Sequence, residues 1–363
     1  MLYFFSKILQ FLILNVTLST LLYSGLPHPS TYYLKPVINV SINNDRNIGS
    51  GFIISKDGLI ISNDHVINGI RKEELYIHLY NKIPYKAEVV YRWQKLDIAI
   101  LKIKDLNFKG FPADHVAKLG DSDNLHVAQE VLAIGSSKGF RHTFTQGHIT
   151  GLHRNLEPLP WNIYYDNLIQ IALAVNKGNS GGPVITTSGK IVGIISLKLP
   201  GEDLGFAIPI NLAKRALANY KKKIFPHIIY SGLSFRDVNY DEVWELNLTK
   251  GNYVAVSQVA LESPAYKAGI KHGDIILEVE GKEPWNPSTA RGYIMELGPE
   301  DILTLKIARE NKTFFTKVKL MTTPEARKLG LNLVGVKQRP VILPPILLPP
   351  GYKNFDYPFK WYK

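Results

Sequence analysis

Gly178-Asn179-Ser180-Gly181-Gly182-Pro183 is the stretch on which the reading of this 363-residue chain turns. Glycines on both sides of a serine let the backbone bend sharply. The hydroxyl is then exposed while neighbouring N–H groups converge on one point. That is the layout of an oxyanion hole, in which one donor lowers a barrier by about 3–4 kcal/mol. Taken alone, the hexapeptide also fits a glycine-rich hairpin turn.

It fits the G-x-S-x-G elbow of α/β-hydrolases as well, but that elbow needs an acid and then a histidine after the serine. The histidines that follow, His227 and His272, lie beyond the β-rich part of the chain. A serine hydroxyl is a weak nucleophile and needs a base, which in turn needs an orienting carboxylate. Among ten histidines, His65 stands out in Ile61-Ser62-Asn63-Asp64-His65-Val66-Ile67, where it is expected to close a strand. Among the aspartates between His65 and Ser180, only Asp97 abuts an unbroken apolar run, Ile98-Ala99-Ile100-Leu101. A carboxylate buried there costs several kcal/mol unless it is hydrogen-bonded or paired, and pairing with His65 accounts for it.

The background is β. Short runs rich in Val, Ile and Tyr, among them 51–55, 59–62, 75–79, 87–91, 98–103, 130–134, 147–152, 183–186, 191–196 and 205–208, are punctuated by Gly, Asn and Asp. This pattern predicts an antiparallel barrel or sandwich over roughly residues 32–222. A helix is expected from Asn211 to Lys222, with Asn211 as its N-cap and lysines at its C-terminus.

The order His65, Asp97, Ser180 on such a background is that of chymotrypsin-type proteases, and here the resemblance becomes detailed. Residues 49–54 and 58–66, Leu96-Asp97-Ile98-Ala99-Ile100-Leu101-Lys102-Ile103, Ala133-Ile134-Gly135-Ser136, Gln146-Gly147-His148-Ile149, 176–183 and Gly205-Phe206-Ala207-Ile208-Pro209 resemble the HtrA/Deg serine proteases. The resemblance implies a mostly β, chymotrypsin-like double β-barrel with the triad between the barrels. His65 would be the general base, Asp97 its orienter and Ser180 the nucleophile. Gly178 and Ser180 N–H groups would form the oxyanion hole, and Ser196 would hydrogen-bond Asp97. No metal or cofactor is implied. Walls of the P1 pocket would come from Val175, Leu199 and Leu204, and the lack of an acidic residue just before Ser180 favours a small or medium aliphatic P1. Two positions depart from the family pattern: Asp64, where a small residue commonly precedes the histidine, and Ile171-Ala172-Leu173, where Thr-Asp-Ala is usual.

Residues 226–323 form a second, smaller α+β unit. Ser263-Pro264-Ala265-Tyr266-Lys267-Ala268-Gly269-Ile270-Lys271-His272-Gly273-Asp274-Ile275-Ile276-Leu277-Glu278-Val279-Glu280-Gly281 resembles the PDZ domain that follows HtrA proteases. Such domains bind a peptide C-terminus as an added strand, and Tyr230-Ser231-Gly232-Leu233 would be the carboxylate loop. The partners implied are unfolded protein substrates and peptide C-termini. Tyr32-Tyr33 resembles the segment through which the family forms homotrimers.

The ends differ in character. Residues 1–25 are apolar with Lys7 near the front, which reads as a signal peptide or membrane anchor. This places the rest outside the cytoplasm, in a periplasm or a mitochondrial intermembrane space. Residues 324–363 form a proline-rich tail, expected to run extended over the surface or to stay mobile. The absence of cysteine excludes disulfides, thiol nucleophiles and thiolate metal sites. A net charge of +12 is the only feature that speaks for nucleic acid, and no nucleic-acid site is expected. The rival to an active enzyme is a catalytically silent homologue that acts as a PDZ scaffold, with Asp64 as its motive.

Overall fold

Leu59–Ser62 and Ile98–Ile103 are apolar at consecutive rather than alternate positions, the pattern of strands covered on both faces. In the computed structural model they pair antiparallel, Leu59 opposite Lys102 and Ser62 opposite Ala99. The structure describes residues 33–42, 46–71, 74–79, 83–105, 107–137, 140–156, 166–198, 204–224, 229–245, 252–299 and 301–331. The 1–25 segment, Tyr32, Leu199 and the tail beyond residue 331 lie outside the described residues. Among those described, no helix is long and apolar enough to cross a membrane.

The two runs belong to a closed barrel of β1 (Val37–Ile42), β2 (Arg46–Ile53), β3 (Leu59–Ser62), β4 (Leu75–His78), β5 (Pro84–Trp93) and β6 (Ile98–Ile103), ordered β1-β2-β3-β6-β5-β4. Ile38, Val40, Ile53, Ile60, Leu75 and Leu101 pack together as one core cluster of this barrel. Val37, Phe52, Ile61, Ile98 and Ile100 pack instead with Leu132, Ile134 and Ile185 of the next barrel. Each such side chain taken out of water contributes about 1.5–3 kcal/mol. Between β3 and β4 lies the short helix α1 (Asp64–Ile67).

A second sheet holds β7 (Lys118–Leu119), β8 (Glu130–Ser137), β9 (Phe140–Arg154), β10 (Leu168–Ala172), β11 (Pro183–Thr186), β12 (Lys190–Lys198) and β13 (Leu204–Pro209). The β11–β12 pairing closes β11-β8-β9-β10-β13-β12 into a six-stranded barrel, with β7 added parallel to β12. The expected double barrel is therefore present. Helix α2 (Ile210–Lys221) buries Ala213 and Ala216 in the cluster shared by the barrels. Its N-cap is Pro209, not Asn211. The Asn211 amide instead donates to Asp121 Oδ1 at 2.8 Å, tying the helix start to the barrel. Strand β1 carries Asn39 and Ser41, both 1% exposed, and these polar residues broke the apolar pattern that marked other strands.

The second unit has a two-stranded pair, β14 (Ile229–Tyr230) with β20 (Met321–Thr322), and a five-stranded sheet. That sheet is ordered β15 (Leu233–Asp237), β16 (Val254–Val259), β17 (Ile275–Val279), β18 (Ile302–Arg309), β19 (Lys312–Lys319). Helices α3 (Tyr240–Glu245), α4 (Pro264–Lys267), α5 (Pro287–Met295) and α6 (Thr323–Lys328) complete it. Ser263 caps α4 by accepting the Tyr266 N–H, and Gly269 ends that turn at φ +76°. Helix α5 is bound to the protease-like unit. Asp166 accepts from Ser288 Oγ at 2.7 Å and from two nitrogens of Arg291.

Candidate active site

Asp97 follows a single 3-10 turn, Gln94–Leu96, and heads β6 with a left-handed φ of +53°. That conformation turns its carboxylate inward, where it is fully buried. It survives there because it is saturated with donors. His65 N–H reaches Oδ1 at 2.9 Å, His65 Nδ1 lies 2.8 Å from Oδ2, and Ser196 Oγ–H donates to Oδ2 at 2.7 Å. Asn63 Nδ2–H holds the Asp97 carbonyl at 2.9 Å. A buried charge met by several short donors is stable where an unpaired one is not.

His65 sits one residue into α1 rather than on the strand. The strand ends at Ser62, since Asn63 turns away to serve Asp97. An ionised carboxylate only accepts, so Nδ1 carries the proton and Nε2 is left as the basic nitrogen. Burial opposes a charged ring, but the Asp97 charge and hydrogen bond, with a smaller push from Asp64, outweigh it. The imidazole therefore holds its proton above the ordinary value of 6.5.

Ser180 lies between Asn179 and Gly181 in the turn before β11. Its hydroxyl donates to the carbonyl of Ser196 at 3.0 Å, so Ser196 touches both Asp97 and Ser180. Gly181 at φ +84° could not be another residue: a Cβ there would lie 2.1 Å from Ser50 O. Gly178, at φ +101°, has its carbonyl held by Ser50 Oγ–H at 2.7 Å, and Ser50 Oγ in turn accepts the Ser136 N–H. The Asn179 N–H is consumed by Asn176 O. Among the described residues, the flanking Gly178 and Ser180 N–H groups meet no protein acceptor. Two fixed amides beside a serine are suited to developing negative charge.

The other predicted residues divide. Val175 is buried in the core of the second barrel, against Gly205, while Leu204 is half-buried on β13. Tyr230 is buried, Ser231 Oγ accepts the Leu233 N–H at 3.3 Å, and Gly232 takes φ +83°. Asp64 forms a bidentate pair with Arg92 of β5, at 2.6 and 2.9 Å. Ser50, Asn63 and Arg92 went unassigned in the sequence. Ser50 alone left a signal, standing directly between Gly49 and Gly51.

The trypsin-like peptidase domain family matches residues 49–194, and the PDZ domain family matches residues 231–320. A probable periplasmic serine endoprotease, DegP-like, of Marinomonas sp. (strain MWYL1) is 33% identical over 287 residues, 78% of this chain and 59% of that protein. Its namesake in Pseudomonas fulva (strain 12-X) is 34% identical over 77% of this chain and 57% of its own length. The chain thus spans under three fifths of these relatives. Of solved structures, the HtrA-type protease AlgW with tripeptide matches at TM-score 0.62 and 24% identity, over 82% of this chain and 98% of that one. The serine endoprotease from Yersinia pestis matches at 0.52 and 26%, over 82% and 99%.

Proposed function

The chain is an HtrA/DegP-like protein, a trypsin-like peptidase domain followed by a PDZ domain, and we propose that it is a serine endopeptidase of unfolded or damaged proteins. The observation that carries this is the buried Asp97 shared by His65 and Ser196, with Ser196 also holding the Ser180 hydroxyl. In the reaction, Ser180 turns about one bond to give its proton to His65 Nε2 while Oγ attacks the substrate carbonyl carbon. The carbonyl π pair moves onto oxygen, which the Gly178 and Ser180 amides receive. Collapse expels the amine, which takes the proton from Nε2, and water then repeats the sequence on the acyl-enzyme. Asp97 keeps Nδ1 protonated throughout and favours the imidazolium.

Val175, Leu199 and Leu204 would shape a P1 pocket for a small or medium aliphatic side chain. In the PDZ domain, among the described residues, β15 pairs with β16 and stands at the end of the sheet, an edge to which a peptide strand could add. The peptide carboxylate would be received by the Tyr230–Leu233 loop, where it can replace the long Ser231 contact to the Leu233 N–H. The names of the relatives support work outside the cytoplasm. A homotrimer rests on the Tyr32-Tyr33 resemblance.

The test is casein degradation and fluorophosphonate labelling by the native chain and by Ser180→Ala. Turnover and labelling that both vanish in Ser180→Ala support the reading. A native protein that neither turns over nor labels would make the chain a silent PDZ scaffold.

A further inference from the structure

Asp64 is the residue before the proposed base, and its carboxylate is 9% exposed. It could compete with Asp97 for the imidazole, yet both of its oxygens accept from Arg92. Arg92 reaches across from β5, with Nε on Oδ1 at 2.6 Å and Nη2 on Oδ2 at 2.9 Å. The same Nη2 donates to Asn68 Oδ1, just past the end of α1, at 3.0 Å. Arg92 therefore grips the short helix at both ends, with His65 between the grips. A planar guanidinium fixes direction as well as charge in such a fork. A four-residue helix has almost no intrinsic stability, and the placement of His65 depends on what holds α1 from outside.

We propose that Arg92 and Asp64 form a positioning clamp for His65, anchoring α1 to β5 and keeping the Asp64 carboxylate turned from the ring so that Asp97 alone pairs with Nδ1. This rests on His65 being the general base. The charged groups around the ring follow from the elements against which α1 packs. Asp97 faces it from the head of β6, Asp64 comes from α1 itself, and Arg92 of β5 acts on it through Asp64. Strand β2 meets the helix with Gly49 against Val66, an apolar contact.

The clamp offsets most of the Asp64 charge and leaves the smaller upward push it exerts on the ring. Without Arg92, its full negative charge would stand beside the imidazole, free to rotate. A nearby carboxylate raises a histidine pKa by about 1 unit or more. With Asp64 and Arg92 both gone, the Asp64 push on the ring would be absent while the Asp97 pairing remained.

The experiment is a histidine NMR titration of the full chain, in which His65 is assigned by its loss in His65→Gln. The titration needs no turnover. Arg92→Met is expected to raise the His65 pKa by about 1 unit, and Asp64→Ala/Arg92→Met to return it to the native value or below. Asp64→Ala, which places a small residue before the histidine, is expected to fold and to lower the His65 pKa, and serves if Arg92→Met does not fold. The clamp is overturned if folded Arg92→Met leaves the pKa unmoved, if the double variant stays as high as Arg92→Met, or if Asp64→Ala changes nothing. A native enzyme that fluorophosphonate does not label refutes the protease reading instead, and the titration still decides the clamp.

Discussion

Asp97→Asn is the substitution that most directly interrogates the site. The native carboxylate accepts the His65 N–H and Nδ1–H and the Ser196 hydroxyl over 2.7–2.9 Å, with no exposure to water. An amide keeps one oxygen and replaces the other with a donor. If the oxygen stays with the His65 N–H, the NH₂ faces Nδ1 and Ser196 Oγ. The hydroxyl can reverse and accept, but Nδ1 can accept only as the tautomer protonated at Nε2. That tautomer cannot take the Ser180 proton. The imidazolium of the transition state also loses its counter-charge. Two charge-assisted bonds at about 1.5–3 kcal/mol each amount to roughly 3–6 kcal/mol, or about 10²–10⁴ in rate. The upper end equals the roughly 10⁴-fold loss known for the same exchange in the chymotrypsin template. Folding should change far less, because the amide is cheaper to bury than the carboxylate. The assay is kcat/KM on a fluorogenic peptide, with thermal unfolding run alongside. A folded variant that retains more than a tenth of native kcat/KM would refute the assignment of Asp97.

Other consequences follow from the same geometry. Because His65 holds its proton above the ordinary 6.5, kcat/KM should rise with pH along an acid limb whose midpoint lies above 6.5, and a midpoint below it refutes the pairing. The linked stability has the opposite sense: a raised folded pKa stabilises the protein below the unfolded value, and this contribution is lost as pH rises through the folded value. Gly181→Ala puts a Cβ 2.1 Å from Ser50 O at a positive φ, so a loss of about 3 kcal/mol in chemical denaturation is expected. Gly232→Ala meets Ser263 Cβ at 2.1 Å at φ +83°. It should weaken the binding of a labelled peptide C-terminus, measured by anisotropy, at least about tenfold through distortion of the loop proposed to receive the carboxylate.

Much of this molecule was legible in the order of its residues. Consecutive apolar runs at 59–62 and 98–103 announced doubly covered strands, and the glycines about Ser180 announced a forced turn, because both are local consequences of solvation and backbone sterics. Asp97 could be singled out since a carboxylate beside an apolar run needs partners. What a one-dimensional pattern does not carry is direction. The apolar run marked Asp97 for a partner, but nothing local chose the way either it or Asp64 would face. That choice was made by the left-handed turn at Asp97, which aims one carboxylate at Nδ1, and by Arg92 on a neighbouring strand, which draws the other away. Asn211 looked like a helix cap and was recruited by Asp121 of the barrel. Ser50 gained its place under Gly178 only when the two barrels met. Sequence alone determined which residues had to be buried, turned or paired, since those are costs each residue bears wherever it sits. The tertiary structure alone decided with whom they pair, since a hydrogen bond depends on the distance and angle of groups brought together from far along the chain.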